Sequence, residues 1–313
     1  MLKFIMKRLV YAIITLFIIS TITFILIRAI PGKPMETMLE RLPEQIRQNY
    51  YAKYGLDKPI IVQYKQFWRN LLVEGDLGES LAYRGRKVND IIKTFAPVSG
   101  RLGIQAIVIG ISIGLILGIV AALNRNKWPD YVVMFIAILG VSIPSFVVAS
   151  LLQYSFTIKR QILPTTGWEG FKYTILPSIA LSFASIAKYA RYMRANCLDV
   201  INQDYILTAK AKGASKSRLI KKHILRNAML PIITLLAPQI ATVFEGSFVI
   251  EKIFAIPGLG SYFVSSVSDR DCTMVLGQTI FIAFLYIVSL VVVDILYGLI
   301  DPRIRLSHKE YRR

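Results

Sequence analysis

The chain is 313 residues long, 54% hydrophobic and only 18% charged, with a mean hydropathy of +0.51, which argues against a soluble enzyme and for a multi-span membrane protein. Its formal net charge of +19 is read in that light: surplus Lys and Arg in a polytopic protein sit on cytoplasmic loops, beside anionic lipid or a cytoplasmic partner, so nucleic acid is not the expected partner. Cys197 and Cys272 lie far apart with no CxxC spacing and few histidines nearby, which supports neither a disulfide scaffold nor a zinc site.

At the amino terminus Lys3, Lys7 and Arg8 precede an apolar run from Leu9 to Ile27. The run is about long enough to cross a bilayer and has no small-x-small cleavage site, so residues 1–30 read as a retained first span. Residues 31–97 follow with mixed charge, including Glu36, Glu40, Glu44, Asp57, Glu74, Asp76, Glu79 and Asp90. Short helices are expected after Pro43 and after Pro59, with turns at Gly75 and Gly78. This segment reads as an extracytoplasmic helical cap, too poor in apolar residues to hold a core of its own.

Five further apolar stretches fill residues 98–300, at about Leu102–Leu123, Tyr131–Phe156, Ile175–Met193, Met229–Ile250 and Met274–Ile300. The expected fold is therefore an all-α polytopic membrane protein with six transmembrane helices. An even number of spans puts both termini on one side. Arg125 and Lys127 in the second link, the lysine-rich link between the fourth and fifth spans, and the basic tail at 301–313 make that side cytoplasmic. Gly110, Gly114 and Gly118 recur every fourth residue, a smooth stripe for close helix contact. Gly140, Pro144, Pro177, Pro231 and Pro238 interrupt other spans, and such breaks favour a transporter over a simple anchor.

The link DYILTAKAKGASKSRLIKKHILRNAMLP begins at Asp204, placed as a helix N-cap, and Gly213 is its main breaker. Ala209 and Gly213, four apart, would fall on one helix face and let a helix of the 204–226 loop lie tightly on another surface. Two readings stay open. A basic loop can serve topology or rest on lipid headgroups, for which Tyr205, Ile206, Leu219 and Ile220 speak; the small Ala/Gly pair speaks for docking of a cytoplasmic protein.

Catalytic machinery is not assembled: there is no GxxxxGK[ST] loop and no HExxH, and His223 and His308 sit in a basic loop and in the tail. Active transport would then draw on an ion gradient or on another subunit. Glu245 and Asp294 are the clearest ionisable groups at membrane depth, each readable as a proton-coupling carboxylate or as a group near a helix end. Ser142, Pro144, Gln239, Glu245 and Gly246 are candidate path-lining residues from their polar or permissive character near mid-span.

The link from Asp204 to Pro231, the outer run KYGLDKPIIVQYKQFWRNLLVEGDLGES, and the pair IPGLGSYFVSSVSDRD and VVVDILYGLIDPRIRL around the last span together carry a resemblance over nearly the whole chain. The chain resembles the first of the two permease subunits of binding-protein-dependent oligopeptide importers, in the dipeptide/oligopeptide/nickel branch of ABC transporter membrane subunits. The resemblance implies the six-helix permease fold of type I ABC importers, in a bacterial inner membrane. The implied partners are a second homologous permease, two cytoplasmic ATPases that bind ATP and Mg, an extracytoplasmic peptide-binding protein, and peptide substrate. This subunit would bind no cofactor or metal and hydrolyse nothing, and its path would alternate between outward and inward access.

The resemblance also makes the 204–226 loop a coupling helix docked on an ATPase, with Asp204, Thr208, Ala209, Lys212, Gly213 and Ala214 as contact residues. Aligned on Gly213, the family's Glu-Ala-Ala signature falls on Leu207, Thr208 and Ala209, so its acid is missing and Asp204 is the acid of this branch. Dipeptides or nickel chelates are the alternative substrates within the branch. A gradient-driven secondary transporter and a membrane scaffold are the alternatives outside it.

Overall fold

The structure, a computed structural model, describes residues 2–29, 39–40, 42–54, 58–80, 82–83, 85–242 and 247–300. Its described elements are helical, apart from an isolated antiparallel bridge between Glu79 and Lys87. Helix α1 spans Leu2–Ala29, an apolar run without an internal breaker. The outer segment supplies α2 (Glu44–Tyr54) and α3 (Ile60–Arg69), the latter running on as a π-helical turn over Asn70–Glu74 until Gly75 adopts a left-handed φ of 61°. This segment does not stand alone: it borrows α1 as its core. Phe17 stacks on Trp68 with ring centroids 4.9 Å apart, and the Thr21 and Tyr64 hydroxyls share a 2.8 Å hydrogen bond.

Helix α4 covers Val88–Leu123, so the last residues expected in the cap belong to the long helix instead. Pro97 does not end it, because Val88, Ile91, Ile92 and Ala96 recur at helical spacing and pack as one face against Leu259 and Met274. Helix α5 (Trp128–Ser142) is followed by α6 (Ser145–Gln153), which continues as a π-helical stretch over Tyr154–Lys159. The expected third span is thus not one rod. Its axis turns by 102° between the two arms, where Ile143 is extended and Pro144, which has no backbone N–H to give the preceding turn, caps the second arm.

Helix α7 spans Phe171–Ile201 with Pro177 inside it, and sits at the centre of the fold, touching α4, α5 and α6. A short helix α8 covers Asp204–Ala211. A continuous helical run then goes from α9 (Lys216–Arg218) through a π-helical segment, Leu219–Leu225, into α10 (Arg226–Thr242). Helices α11 (Phe248–Ile253), α12 (Leu259–Ser268) and α13 (Cys272–Ile300) complete the chain, α13 packing on α1, α10 and α12.

The glycine stripe does what its spacing predicts. A Cβ on Gly110, Gly114 or Gly118 of α4 would stand 2.7, 2.6 or 2.6 Å from Ser185 Cβ, Tyr189 Cβ or the Ala190 carbonyl of α7, distances that side chains do not tolerate. Gly140 of α5 meets Ala187 of the same helix in the same way, at 2.6 Å. Helix α7 is therefore clamped between two backbones by contacts that only hydrogen atoms allow.

Three stretches, Leu9–Ile27, Val88–Leu123 and Cys272–Val292, are long and apolar enough to cross a membrane, and the bent α5–α6 pair is a fourth. Helix α7 carries Lys172, Lys188, Arg191, Arg194 and Asp199, so it lacks the unbroken apolar length of a free lipid-facing rod.

Candidate functional site

Two regions gather the polar residues. The first is an open cavity of about 150 Å³ between α4, α7, α10 and α11, with Ser99, Ser185, Gln239, Ser247 and Glu251 on its polar side and Leu102, Ala106, Ile107 and Leu181 on its apolar side. Gln239 donates from Nε2 to Ser185 Oγ at 2.6 Å and accepts from the Tyr189 hydroxyl, which fixes its amide orientation between α7 and α10. Of the described candidate path residues, Gln239 lines this cavity and Ser142 and Pro144 do not. Ser142 and Pro144 flank the elbow between α5 and α6 and are exposed. Glu245 and Gly246 lie outside the described residues, as does the side chain of Asp294.

Glu251 is the buried acid beside the cavity that the sequence reading misses. It is 1% exposed, accepts from Ser99 Oγ at 2.7 Å and from the Ser261 N–H at 3.1 Å, and its own carbonyl accepts from the Ile256 N–H at 2.7 Å. These bonds fold the IPGLGS segment around the carboxylate. A Cβ on Gly258 would run into that carboxylate, so the first glycine of the motif is a packing requirement. The available signal is an acid set among Phe248, Val249, Ile250, Ile253 and Phe254, ahead of a glycine-rich turn whose N–H groups need acceptors.

The second region is the 204–226 loop. Gln203, not Asp204, occupies the N-cap position of α8, and no side chain caps it; Asp204 is the first helical residue, where its charge still complements the helix dipole. The helix stops after Ala211. The Gly213 N–H bonds the Lys210 carbonyl at 3.0 Å and the Ala214 N–H bonds the Ala209 carbonyl at 3.1 Å, with Gly213 at φ 77°. That pair of bonds around a left-handed residue is a Schellman stop. Ala209 and Gly213 are therefore not stacked on one helix face. Gly213 has no other heavy atom within 4 Å of its notional Cβ, so within this chain it is required by its backbone angle and not by a close approach.

Asp204, Thr208, Lys212 and Gly213 are exposed, while Ala209 and Ala214 are half-buried. On the opposite side Ile206, 4% exposed, enters a cluster with Tyr189, Met193, Cys197, Ile224 and Ala228. The Asn227 amide donates to the Tyr205 hydroxyl at 3.0 Å and to the His223 carbonyl at 2.8 Å, and a cleft of about 480 Å³ opens beside them toward Asp199 and Gln203. The six candidate contact residues thus share one short helix and its stop, held to the bundle by the buried Ile206 and by the Tyr205–Asn227 hydrogen bond. Tyr189 joins the two regions: its ring lies in the Ile206 cluster and its hydroxyl reaches Gln239 at the cavity.

Comparison with known proteins bears on both regions. Residues 114–306 match the family described as binding-protein-dependent transport system inner membrane component, and residues 1–83 match the amino-terminal region of such membrane components. The chain is 43% identical to the dipeptide transport system permease protein DppB of Bacillus subtilis, over 99% of this chain and all of that one. It is 44% identical to the oligopeptide transport system permease protein OppB of Haemophilus influenzae and 43% identical to that of Escherichia coli, in each case over 97% of this chain and the whole relative. Among solved structures, a crystal structure of an amino acid ABC transporter with histidines aligns with a TM-score of 0.50 at 19% identity, covering 69% of this chain and 94% of that one, a likeness of fold.

Proposed function

The chain belongs to the binding-protein-dependent transport system inner membrane component family, and on that footing we infer that it is the membrane-spanning permease subunit of an ATP-driven peptide importer. The observation that carries this reading is full-length identity to permeases of both oligopeptide and dipeptide systems, with no part of those relatives missing. Oligopeptides are the substrate of this reading and dipeptides its alternative, and relatives named for each are about equally similar to the chain.

The subunit crosses the membrane six times with both termini cytoplasmic, counting α7 and α10 as spans that rely on neighbouring helices rather than on lipid. It pairs with a second homologous permease, and ATP and Mg are handled by two cytoplasmic ATPases. Helix α8 and its Gly213 stop form the knob that enters an ATPase groove, with Asp204, Thr208 and Lys212 facing the partner. Support for this comes from the loop's construction: an exposed polar side, a fixed stop, and Ile206 sunk into the packing of α7 and α10. A movement of the knob would be passed to those helices through well-packed contacts, since close-packed interiors transmit displacement. Gln239 and the cavity beside it lie on the translocation path.

Affinity purification of the tagged chain tests the assembly, which should return a second permease, ATPases and an extracytoplasmic binding protein. Uptake of labelled tripeptide into proteoliposomes that needs both ATP and the binding protein tests the function. Uptake driven by a pH gradient without ATP would overturn it.

A further inference from the structure

We propose that α3 and its π-helical continuation lie inside the outer leaflet of the bilayer, where lipid acyl chains cover Ile61 and Leu72. The placement rests on α1 crossing the membrane, and not on what is transported. Depth is set by the contacts between the two helices. The apolar run of α1 ends at Ile27. Tyr64 meets the Phe24 ring edge-on at 5.3 Å between centroids and shares its hydroxyl bond with Thr21, while Trp68 stacks on Phe17. At a rise of about 1.5 Å per residue, Phe24, Thr21 and Phe17 stand about 4.5, 9 and 15 Å inward of Ile27, along a run that crosses a hydrocarbon layer of about 30 Å. A helix bound at that level lies below the headgroups, close to the depth of about 5–10 Å that interfacial amphipathic helices reach.

The faces of α3 agree with this depth. Trp68, which reaches the deep Phe17, marks the side that points into the membrane, and Phe67, 5.3 Å from the Phe24 ring, marks the side toward the surface. Ile61 and Leu72 recur at helical spacing from Trp68 and share its side, and they are 66% and 75% exposed. Gln63 and Asn70 recur at helical spacing from Phe67 and share the shallow side. Large apolar side chains thus point toward the bilayer interior and amides toward water. Lys65 and Arg69 are exposed as well, and their long stems let the charges climb to the headgroups. The uncovered surface continues onto α1, where Ile14, Ile18 and Ile25, about a quarter turn from the α3 contacts, are about half exposed. Lipid that covers this row of α1 therefore meets Ile61 and Leu72 beside it. Helix α2, EQIRQNYYAKY, offers Ile46 alone as a large aliphatic residue and belongs in water.

Spin labels on Ile61→Cys, Leu72→Cys and, in α2, Asn49→Cys test the placement in the assembled complex in lipid nanodiscs. The native Cys197 and Cys272 are buried, so background labelling is low. The ratio of collision with oxygen to collision with a water-soluble nickel chelate should be several-fold higher at 61 and 72 than at 49, and should place both labels about 5–10 Å below the phosphates. A label on Gln63→Cys should read shallower than one on Ile61→Cys. In the unsubstituted complex, a phospholipid with a diazirine at the middle of its acyl chain should crosslink to residues 60–73 as well as to α1, which decides the matter should a labelled variant not assemble. Free access of the nickel chelate to 61 and 72 would put α3 in water and overturn the placement. Labels shielded from both reagents would mean that a neighbouring subunit covers this face, which overturns it equally, as would acyl crosslinking confined to α1.

Discussion

Arg194 of α7 grips Asp130 at the start of α5 with two hydrogen bonds, Nε to Oδ1 at 2.5 Å and Nη2 to Oδ2 at 2.7 Å. The Asn126 N–H adds a third at 3.0 Å, so the carboxylate, 2% exposed, ties the 124–127 turn to the central helix. Breaking a buried pair strands its partner. Arg194→Met is expected to lower stability by about 3 kcal/mol, at the low end for buried pairs because Arg194 keeps some exposure. Arg194→Lys should fall between, having charge but no fork. The double variant Asp130→Asn with Arg194→Met should recover part of the loss. Thermal unfolding of the purified complex checks this, and a double variant no better than Arg194→Met would mean that the pair has no coupling of its own.

Substitutions at Gly213 separate two reasons for a glycine in the loop. Gly213→Leu is expected to leave the spans inserted while weakening ATPase co-purification and abolishing uptake. Its backbone angle of 77° disfavours side chains by about 1–2 kcal/mol, a strain that Asn bears better than other residues. Gly213→Asn should therefore retain the helix stop. Retained ATPase with Asn but not Leu would assign the glycine to the stop, whereas loss with both would assign it to close contact with the partner. Lys216→Ala should change ATPase retention little, since an exposed charge contributes under about 1 kcal/mol.

Thiol labelling checks the orientation. A cysteine at exposed Ser215 should react only with a membrane-permeant reagent, and one at exposed Glu74 should react with an impermeant reagent from outside. Ser80, though it lies in the same outer segment, is unsuitable: it is fully buried and donates to Asp271 at 2.5 Å. Cys197 and Cys272 are both buried, which keeps the background low. Labelling of Ser215→Cys from outside intact cells would invert the topology and remove the docking role of α8.

At the helix clamp, Gly114→Ala should force α4 and α7 apart, because the new Cβ meets Tyr189 Cβ at 2.6 Å and backbone atoms beside it cannot yield. Overpacking of this kind costs about 1–3 kcal/mol. Gly85→Ala in the outer segment meets no atom but strains a backbone at φ 73°, a local cost that should leave α4–α7 packing intact. Size-exclusion profiles of the two variants in detergent make the comparison, and identical profiles would remove the stripe from the list of structural determinants.

How far the sequence could be read depended on whether the cause of a feature was local. The long helices around Leu9, Leu102 and Met274 follow from unbroken apolar runs, and the Gly110 stripe follows from its own spacing. Pro144 was legible as a break but its sharp bend was not, because Pro177 reads as the same kind of break and leaves its helix whole. Gly213 was visible as a breaker, but its Schellman bonds place it beyond the helix it was expected to ride on. Glu251 escaped notice because its serine partner stands 152 residues away in the sequence, and no window of residues reveals a pairing of that range.

The turn between α5 and α6 fixes a depth as well as a direction. As one straight helix, residues 128–159 would extend about 48 Å, far more than a hydrocarbon layer of about 30 Å requires. Bent by 102°, only the 15 residues of α5 advance along the first axis, a rise of about 22 Å. Lys159 and Arg160 consequently lie near the level of Pro144 along that axis, in place of a full helix arm beyond it. Helix α5 thus works as a yardstick for the membrane at this point. A bilayer thicker than its reach must thin or be met by neighbouring helices, and no amount of added apolar length in α6 would alter that.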